Sequence, residues 1–113
     1  MKILIVDDDP LVCESLSTIL QSDNQIEIAG LGYNAMDAVR LYEKLQPDIL
    51  LMDIRMGEKT GLDAAKIILG KYKEAKILFL TTFSDDDYII KAIKMGAKGY
   101  LIKQNFESII PAL

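Results

Sequence analysis

Asp7 and Asp8 end the first apolar run of the chain, Ile3-Leu4-Ile5-Val6, and Asp53 ends a second, Ile49-Leu50-Leu51-Met52. Lys103 follows a third, Tyr100-Leu101-Ile102. Buried strands of a parallel sheet read as short continuous hydrophobic stretches, and ligands gather outside their carboxyl ends. If the runs are parallel strands, the three acids and the lysine converge on one rim. Carboxylates forced together repel one another, which raises their pKa and costs stability unless a cation neutralises them. Mg2+ suits that task, because it prefers oxygen ligands, keeps several waters and bridges carboxylates to phosphate oxygens. Thr81, directly after the run Ile77 to Leu80, adds a hydroxyl at the same rim that can donate to a phosphoryl oxygen. Helix capping explains Asp9 alone, since one cap needs one side chain, and it says nothing of Asp53. The chemistry indicated is the handling of a phosphoryl group beside a hard cation.

The elements that must position these groups alternate along the whole chain, apolar run then helical pattern, as in a βαβ-built parallel sheet. The first strand is read over residues 2–6. Asp9-Pro10 then starts a helix, with the carboxylate as N-cap and proline in the first turn. Val12, Leu16, Ile19 and Leu20 follow at helical spacing, and the helix ends near residues 22–24. A second strand over residues 26–30 leads to a helix with Ala35, Ala38, Val39, Tyr42 and Leu45 on one face. Pro47 blocks its continuation, and residues 48–52 form the third strand. Gly57 and Gly61 read as loosening the loop after Asp53, before a helix carrying Leu62, Ala65, Ile68 and Leu69. Residues 77–80 are the fourth strand. Ser84 caps a helix with Asp85, Asp86 and Asp87 in its first turn, and Gly96 ends it. Residues 100–102 are the fifth strand. Asn105 caps a last helix that Pro111 shortens or kinks.

Composition limits the alternatives. At 113 residues the chain makes one domain, spanning 1–113, and half of its residues are apolar. Net charge is −4 with no basic run, which speaks against nucleic-acid binding by this segment. Cys13 is the sole cysteine and histidine is absent, so internal disulfides, cysteine metal cages, zinc-type hydrolysis and Ser-His catalysis all fall away. Cys13, beside Leu11, Val12 and Leu16, reads as a buried structural thiol. No apolar stretch approaches the roughly 20 residues of a membrane span, and the N-terminus lacks a signal-peptide pattern, which favours a cytoplasmic location.

Four motifs in order make the chain recognisable: Val6-Asp7-Asp8-Asp9-Pro10; Asp53-Ile54-Arg55-Met56 with Gly61-Leu62; Leu80-Thr81-Thr82-Phe83; and Gly96-Ala97-Lys98-Gly99-Tyr100-Leu101-Ile102-Lys103. Over essentially its whole length the chain resembles the receiver domain of two-component response regulators, in the CheY-like superfamily. Its motifs look closest to LuxR-type (NarL/FixJ-like) transcription regulators. The resemblance implies an α/β, (βα)5 three-layer doubly wound flavodoxin/CheY-like fold. Its five-stranded parallel sheet would have the order 2-1-3-4-5, with strands 1 and 3 flanking the switch-point crevice. It implies that Asp53 is the phosphoacceptor, attacking a phosphohistidine of a sensor histidine kinase. Asp8 would bind Mg2+ directly and Asp7 through water, with Asp53 and the backbone carbonyl of Arg55 completing the ligands. Lys103 and Thr81 would hold the phosphoryl oxygens, Thr81 and Tyr100 would act as switch residues, and Phe83 and Arg55 would modulate phosphoryl lifetime. Phenylalanine offers no hydrogen bond to an attacking water, so slow self-dephosphorylation is expected. The partners implied are the kinase, a covalently linked helix-turn-helix output domain that does the DNA binding, and a second copy on phosphorylation.

The match has departures. Gly57 stands where receivers commonly have proline, which leads us to expect a more mobile loop, and Gln104 and Pro111 also differ from the usual pattern. No output domain is legible in this chain, so it reads as the N-terminal part of a longer regulator. Three rivals remain: a stand-alone receiver acting by docking, a Mg2+-dependent phosphohydrolase, and a phosphorylation-independent interaction module. The second usually needs another acid two residues past the nucleophile, and Arg55 occupies that position. Intact Asp7, Asp8, Asp53, Thr81 and Lys103 argue against the third. The chain is expected to be a signalling phosphoacceptor rather than an enzyme acting on a separate substrate.

Overall fold

The computed structural model describes residues 1–56, 59–81, 86–103 and 113. Its elements run β1 (Lys2–Val6), α1 (Pro10–Gln21), β2 (Glu27–Gly32), α2 (Ala35–Leu45), β3 (Ile49–Asp53), β4 (Arg55–Met56), β5 (Lys59–Thr60), α3 (Gly61–Lys71), β6 (Ile77–Thr81), α4 (Asp86–Met95) and β7 (Gly99–Ile102). Five strands form one parallel sheet in the order β2-β1-β3-β6-β7. Counting that sheet alone, the order is the expected 2-1-3-4-5. β4 and β5 make a separate two-stranded antiparallel ribbon between β3 and α3.

The apolar runs are continuous because both sheet faces are covered. Ile3, Ile5, Leu51 and Leu80 point to one face and pack with Cys13, Leu16 and Leu20 of α1. Leu4, Val6, Leu50, Met52 and Phe79 point to the other and pack with Ala38 and Tyr42 of α2, Ala65 and Ile68 of α3, and Ala92 of α4. Successive residues alternate faces, so an unbroken aliphatic strand feeds both cores at once. Removing Phe79 or Leu50, both fully buried, would open a cavity in the middle layer.

Helix ends follow local chemistry. Asp9 caps α1 by accepting from the Leu11 backbone N–H, with Pro10 in the first turn. Asn34 caps α2, accepting from Asp37 N–H. Thr60 and Asp63 form a reciprocal capping box at α3. Gly96, at φ 108°, closes α4 in a conformation that a side chain would strain.

Several strand ends differ from the sequence reading by one residue; two larger departures share a cause. β2 continues to Gly32, two residues beyond the expected end, through a register shift between Ile3 and Leu4. Its glycines are packing positions: a Cβ on Gly30 would meet Leu45 Cδ1 at 2.9 Å. Gly61, read above as a loop-loosening residue, is instead the first residue of α3, pressed against the backbone of β3. Glycine marks close approach here, a use that single-sequence reading does not separate from turn formation. Gly57, Phe83, Ser84, Asp85, Gln104, Asn105 and Pro111, for which the sequence raises expectations, lie outside the described residues.

Cys13 is fully buried, with its Sγ 3.5 Å from the Asp7 carbonyl, and burial first, then the Asp7 charge, pushes its thiol up to about 11. The thiolate is the reactive form. Native protein at pH 8 is therefore expected to resist a thiol reagent that modifies the urea-unfolded chain within minutes, and equal rates in the two states would contradict this placement.

Candidate functional site

The acids reach one rim because the sheet order places β1 beside β3. β1 pairs with β3 through Val6 and Met52, so the residues that follow, Asp7 and Asp53, emerge side by side. One ligand oxygen from each of Asp7, Asp8 and Asp53 lies within 4.8 Å of the others. Asp7 is fully buried and Asp53 nearly so, whereas Asp8 is exposed. Thr81, fully buried, ends β6, whose Leu80 pairs with Asp53. The Thr81 carbonyl accepts from the Lys103 N–H at 2.9 Å, which brings the lysine to the same edge.

Lys103 Nζ lies 3.0 Å from Asp7 Oδ2 and 3.2 Å from Asp53 Oδ2, bridging the two buried carboxylates. Other groups steady the acids: the Asp9 N–H donates to Asp7 Oδ1 at 2.9 Å, and the Arg55 N–H donates to Asp53 Oδ1 at 3.2 Å. Asp7 Oδ2 is buried and meets Lys103 as an ion pair without hydrogen-bond alignment.

One lysine does not neutralise two buried acids. Burial is the largest influence on Asp53 and, with the Asp7 charge, pushes its carboxyl up to about 6 against the opposing pull of Lys103 and the Arg55 N–H. Burial likewise raises Asp7, and the Asp9 N–H and Lys103 only partly offset it. Burial by itself would lower Lys103, but its ion pair with Asp7 and the charge of Asp53 together raise it. Both acids stay raised although they share a cation, so the cluster is short of positive charge. The chemistry is that of an oxygen-lined cation site: a buried carboxylate oxygen without a hydrogen bond, two more carboxylates in reach, and excess negative charge.

Residues 3–113 match the family model of the response regulator receiver domain. The chain belongs to that family. Receivers are signalling domains of two-component systems, and they bind Mg2+ at an acidic cluster such as the one Asp7, Asp8 and Asp53 form here. Transcriptional regulatory protein YdfI of Bacillus subtilis (strain 168) is 45% identical over 102 residues, which are 90% of this receiver and 47% of YdfI. Transcriptional regulatory protein DesR of the same organism is 40% identical over 105 residues, 93% of this receiver and 52% of DesR. The chain thus spans about half the length of the curated relatives it matches. A crystal structure of a LuxR-family two-component response regulator from Aurantimonas sp. SI85-9A1 superposes with a TM-score of 0.92 at 28% identity, covering 98% of this receiver and 80% of that chain. The CheY-like fold and the likeness to LuxR-family regulators both hold.

Tyr100 lies on the edge strand β7 and is 45% exposed, so its ring is turned outward in this state. Two residues near the site were not singled out from the sequence. Gly61 abuts the carbonyl of Asp53, and Tyr88 of α4 carries the Arg55 guanidinium over its ring. Only the helical spacing from Tyr88 to the buried Ala92 signalled that Tyr88 faces the body of the protein. A cavity of about 640 Å3 lies elsewhere, between α2 and α3, lined by Ala35, Met36, Val39, Ala64 and Ile67. Arg40, Glu43 and Asp63 line it as well, and none of its lining residues belongs to the acidic rim. None of the described helices is long and apolar enough to cross a membrane.

Proposed function

We propose that Asp53 accepts a phosphoryl group from a phosphohistidine of a sensor histidine kinase. The observation that carries this reading is the convergence of Asp7, Asp8 and Asp53 within 4.8 Å, with Lys103 bridging Asp7 and Asp53. The Asp53 carboxylate oxygen attacks phosphorus, the new O–P bond forms as the P–N bond to the donor imidazole breaks, and the imidazole leaves with the bonding pair. The side chains of Asp7, Asp8 and Asp53 and the backbone carbonyl of Arg55 would hold Mg2+, which when bound supplies positive charge for the phosphoryl oxygens. Lys103 and the Thr81 hydroxyl take those oxygens as partners, so that little chemistry beyond positioning and neutralisation is asked of the protein. Thr81 and Tyr100 then act as a two-state element whose balance the new charge-assisted bonds shift.

In the whole protein this switch controls a DNA-binding output domain. That reading is supported by relatives named as transcriptional regulators and about twice as long as this receiver. Residues 1–113 are the receiver unit, and phosphorylation favours its pairing with a second copy. Acetyl phosphate with Mg2+ should place a single phosphoryl group on the chain, read by intact mass, and beryllofluoride should shift its sedimentation. Continuous turnover of a phosphomonoester would replace this reading with that of a phosphohydrolase.

Mg2+ alone should raise the melting temperature of the receiver, because the ion offsets the excess charge of the folded state and binds the folded form preferentially. A stabilisation of about 2.7 kcal/mol is expected at a hundredfold excess over Kd. An unchanged melting temperature at 20 mM Mg2+ would remove the cation site.

A further inference from the structure

The backbone of Arg55 meets the carboxylate of Asp53 on one side and β5 on the other. Its N–H donates to Asp53 Oδ1 at 3.2 Å, while Lys103 Nζ lies 3.2 Å from Asp53 Oδ2, so both carboxylate oxygens are held. In the β4–β5 ribbon Arg55 pairs with Thr60, next to the pair of Met56 with Lys59. A ribbon this short has little stability of its own, so its strands need anchors. β4 is anchored by Met56, which is buried. β5 is anchored by Thr60, whose N–H donates to Asp63 Oδ2 at 2.9 Å. The Thr60 hydroxyl donates to the same oxygen at 3.2 Å and accepts from the Asp63 N–H at 3.3 Å. The next residue ties this corner to the sheet, since the Gly61 N–H donates to the Ile54 carbonyl at 2.8 Å.

A continuous set of contacts therefore runs from Asp63 through Thr60 and the ribbon to the Arg55 N–H, and ends on the Asp53 carboxylate. Mg2+ demands near-ideal octahedral geometry, so its affinity depends on how closely each ligating carboxylate is held. Groups that orient a ligand matter nearly as much as the ligand itself. We propose that Thr60 is a positioning residue for the cation site: capped on Asp63, it holds β5 against β4 and so keeps the Arg55 N–H on Asp53. The proposal rests on the reading of Asp7, Asp8 and Asp53 as that site. It gives the capping box of α3 a task beyond starting the helix. The cap of α2, where Asn34 accepts from the Asp37 N–H at 2.7 Å, follows β2 instead and leads to neither strand of the ribbon.

The test compares dissociation constants for Mg2+, read from backbone amide shifts in an NMR titration of the folded receiver. Thr60→Ala changes no charge. It should weaken Mg2+ binding about three- to tenfold, below the roughly 10–100-fold that losing a direct partner of a metal ligand brings. Exchange of the Arg55 amide with solvent should quicken in the same variant. Thr60→Ser, which keeps the hydroxyl, should bind Mg2+ as the wild type does. Asn34→Ala removes a cap of the same kind and should lower the melting temperature as Thr60→Ala does, yet leave the Mg2+ constant unchanged. The proposal is overturned by a Thr60→Ala constant equal to wild type or by an unchanged Arg55 exchange rate. A serine variant as weak as the alanine one, or an equal loss in Asn34→Ala, would overturn it as well. Failure of the wild type itself to bind Mg2+ would instead overturn the cation site, so the two failures are distinguishable.

Discussion

Asp53→Asn is expected to abolish phosphoryl labelling and, at neutral pH without Mg2+, to make the receiver more stable. Loss of labelling follows from removing the attacking oxygen. The gain in stability follows from the environment of the carboxyl, which burial and the Asp7 charge push up to about 6. In the unfolded chain an aspartate titrates near 3.9. A folded-state pKa raised above the unfolded value favours folding fully below the unfolded pKa, and that contribution is lost as pH rises through the folded one. Between pH 4 and pH 6 the metal-free wild type therefore loses the contribution of Asp53, and at pH 7 the carboxylate costs up to about 3 kcal/mol at 1.36 kcal/mol per pH unit. Asparagine is neutral throughout and avoids that cost, while Lys103 keeps Asp7 as its partner at 3.0 Å. Urea denaturation of both proteins at pH 4 and pH 7 provides the check: the advantage of Asp53→Asn should be small at pH 4, about half-developed at pH 5 and large at pH 7. Mg2+ should narrow it, because the ion stabilises the wild type more. Equal labelling of the two proteins would sink the assignment of Asp53, and a less stable variant at pH 7 would contradict the charge imbalance.

Gly61→Ala should be the most damaging single methyl group in the described residues near the site. A Cβ at Gly61 would lie 2.2 Å from the Asp53 carbonyl oxygen and 3.2 Å from both the Asp53 carbonyl carbon and Ile54 Cα. These are backbone atoms, so no side chain can swing aside. The Gly61 N–H also donates to the Ile54 carbonyl at 2.8 Å, which pins the start of α3 to the end of β3. Relief requires the helix to retreat from the strand that carries Asp53. The cost should meet or exceed the upper end of the roughly 1–3 kcal/mol typical of overpacking. Labelling should fall on the order of a hundredfold, as misplacement of a reacting group by about 1 Å commonly causes. Gly70→Ala is the matched control: it lies on the same helix with nothing within 4 Å of its added Cβ. It should stabilise by about 0.5–1 kcal/mol through helix propensity. Similar melting temperatures for the two variants would refute the close approach at Gly61.

How much of this was legible beforehand depended on whether the deciding interaction was local. The Asp9-Pro10 start of α1, the Pro47 stop after α2 and the Gly96 end of α4 all came out as read, because each is set by neighbours within one turn. The strand runs were legible because both faces of the sheet are buried, which leaves no polar alternation to confuse them. The ends of β2 and the meaning of Gly61 were not, since a glycine that permits close approach and one that permits a turn are written with the same letter. Tyr88 passed unnoticed as one aromatic on an amphipathic helix, because its partner Arg55 lies across a gap of 33 residues.

The sequence by itself determined the alternation of strand and helix, the residue types gathered at strand ends, and through four ordered motifs the receiver family. Those properties live in neighbouring residues or in motif order, and neither needs a third dimension. The tertiary structure alone decided that Lys103 answers to Asp7 as well as Asp53, that two buried acids outweigh it, and that Arg55 rests on Tyr88. Charge balance and dielectric are sums over everything nearby in space, and chain order does not carry them.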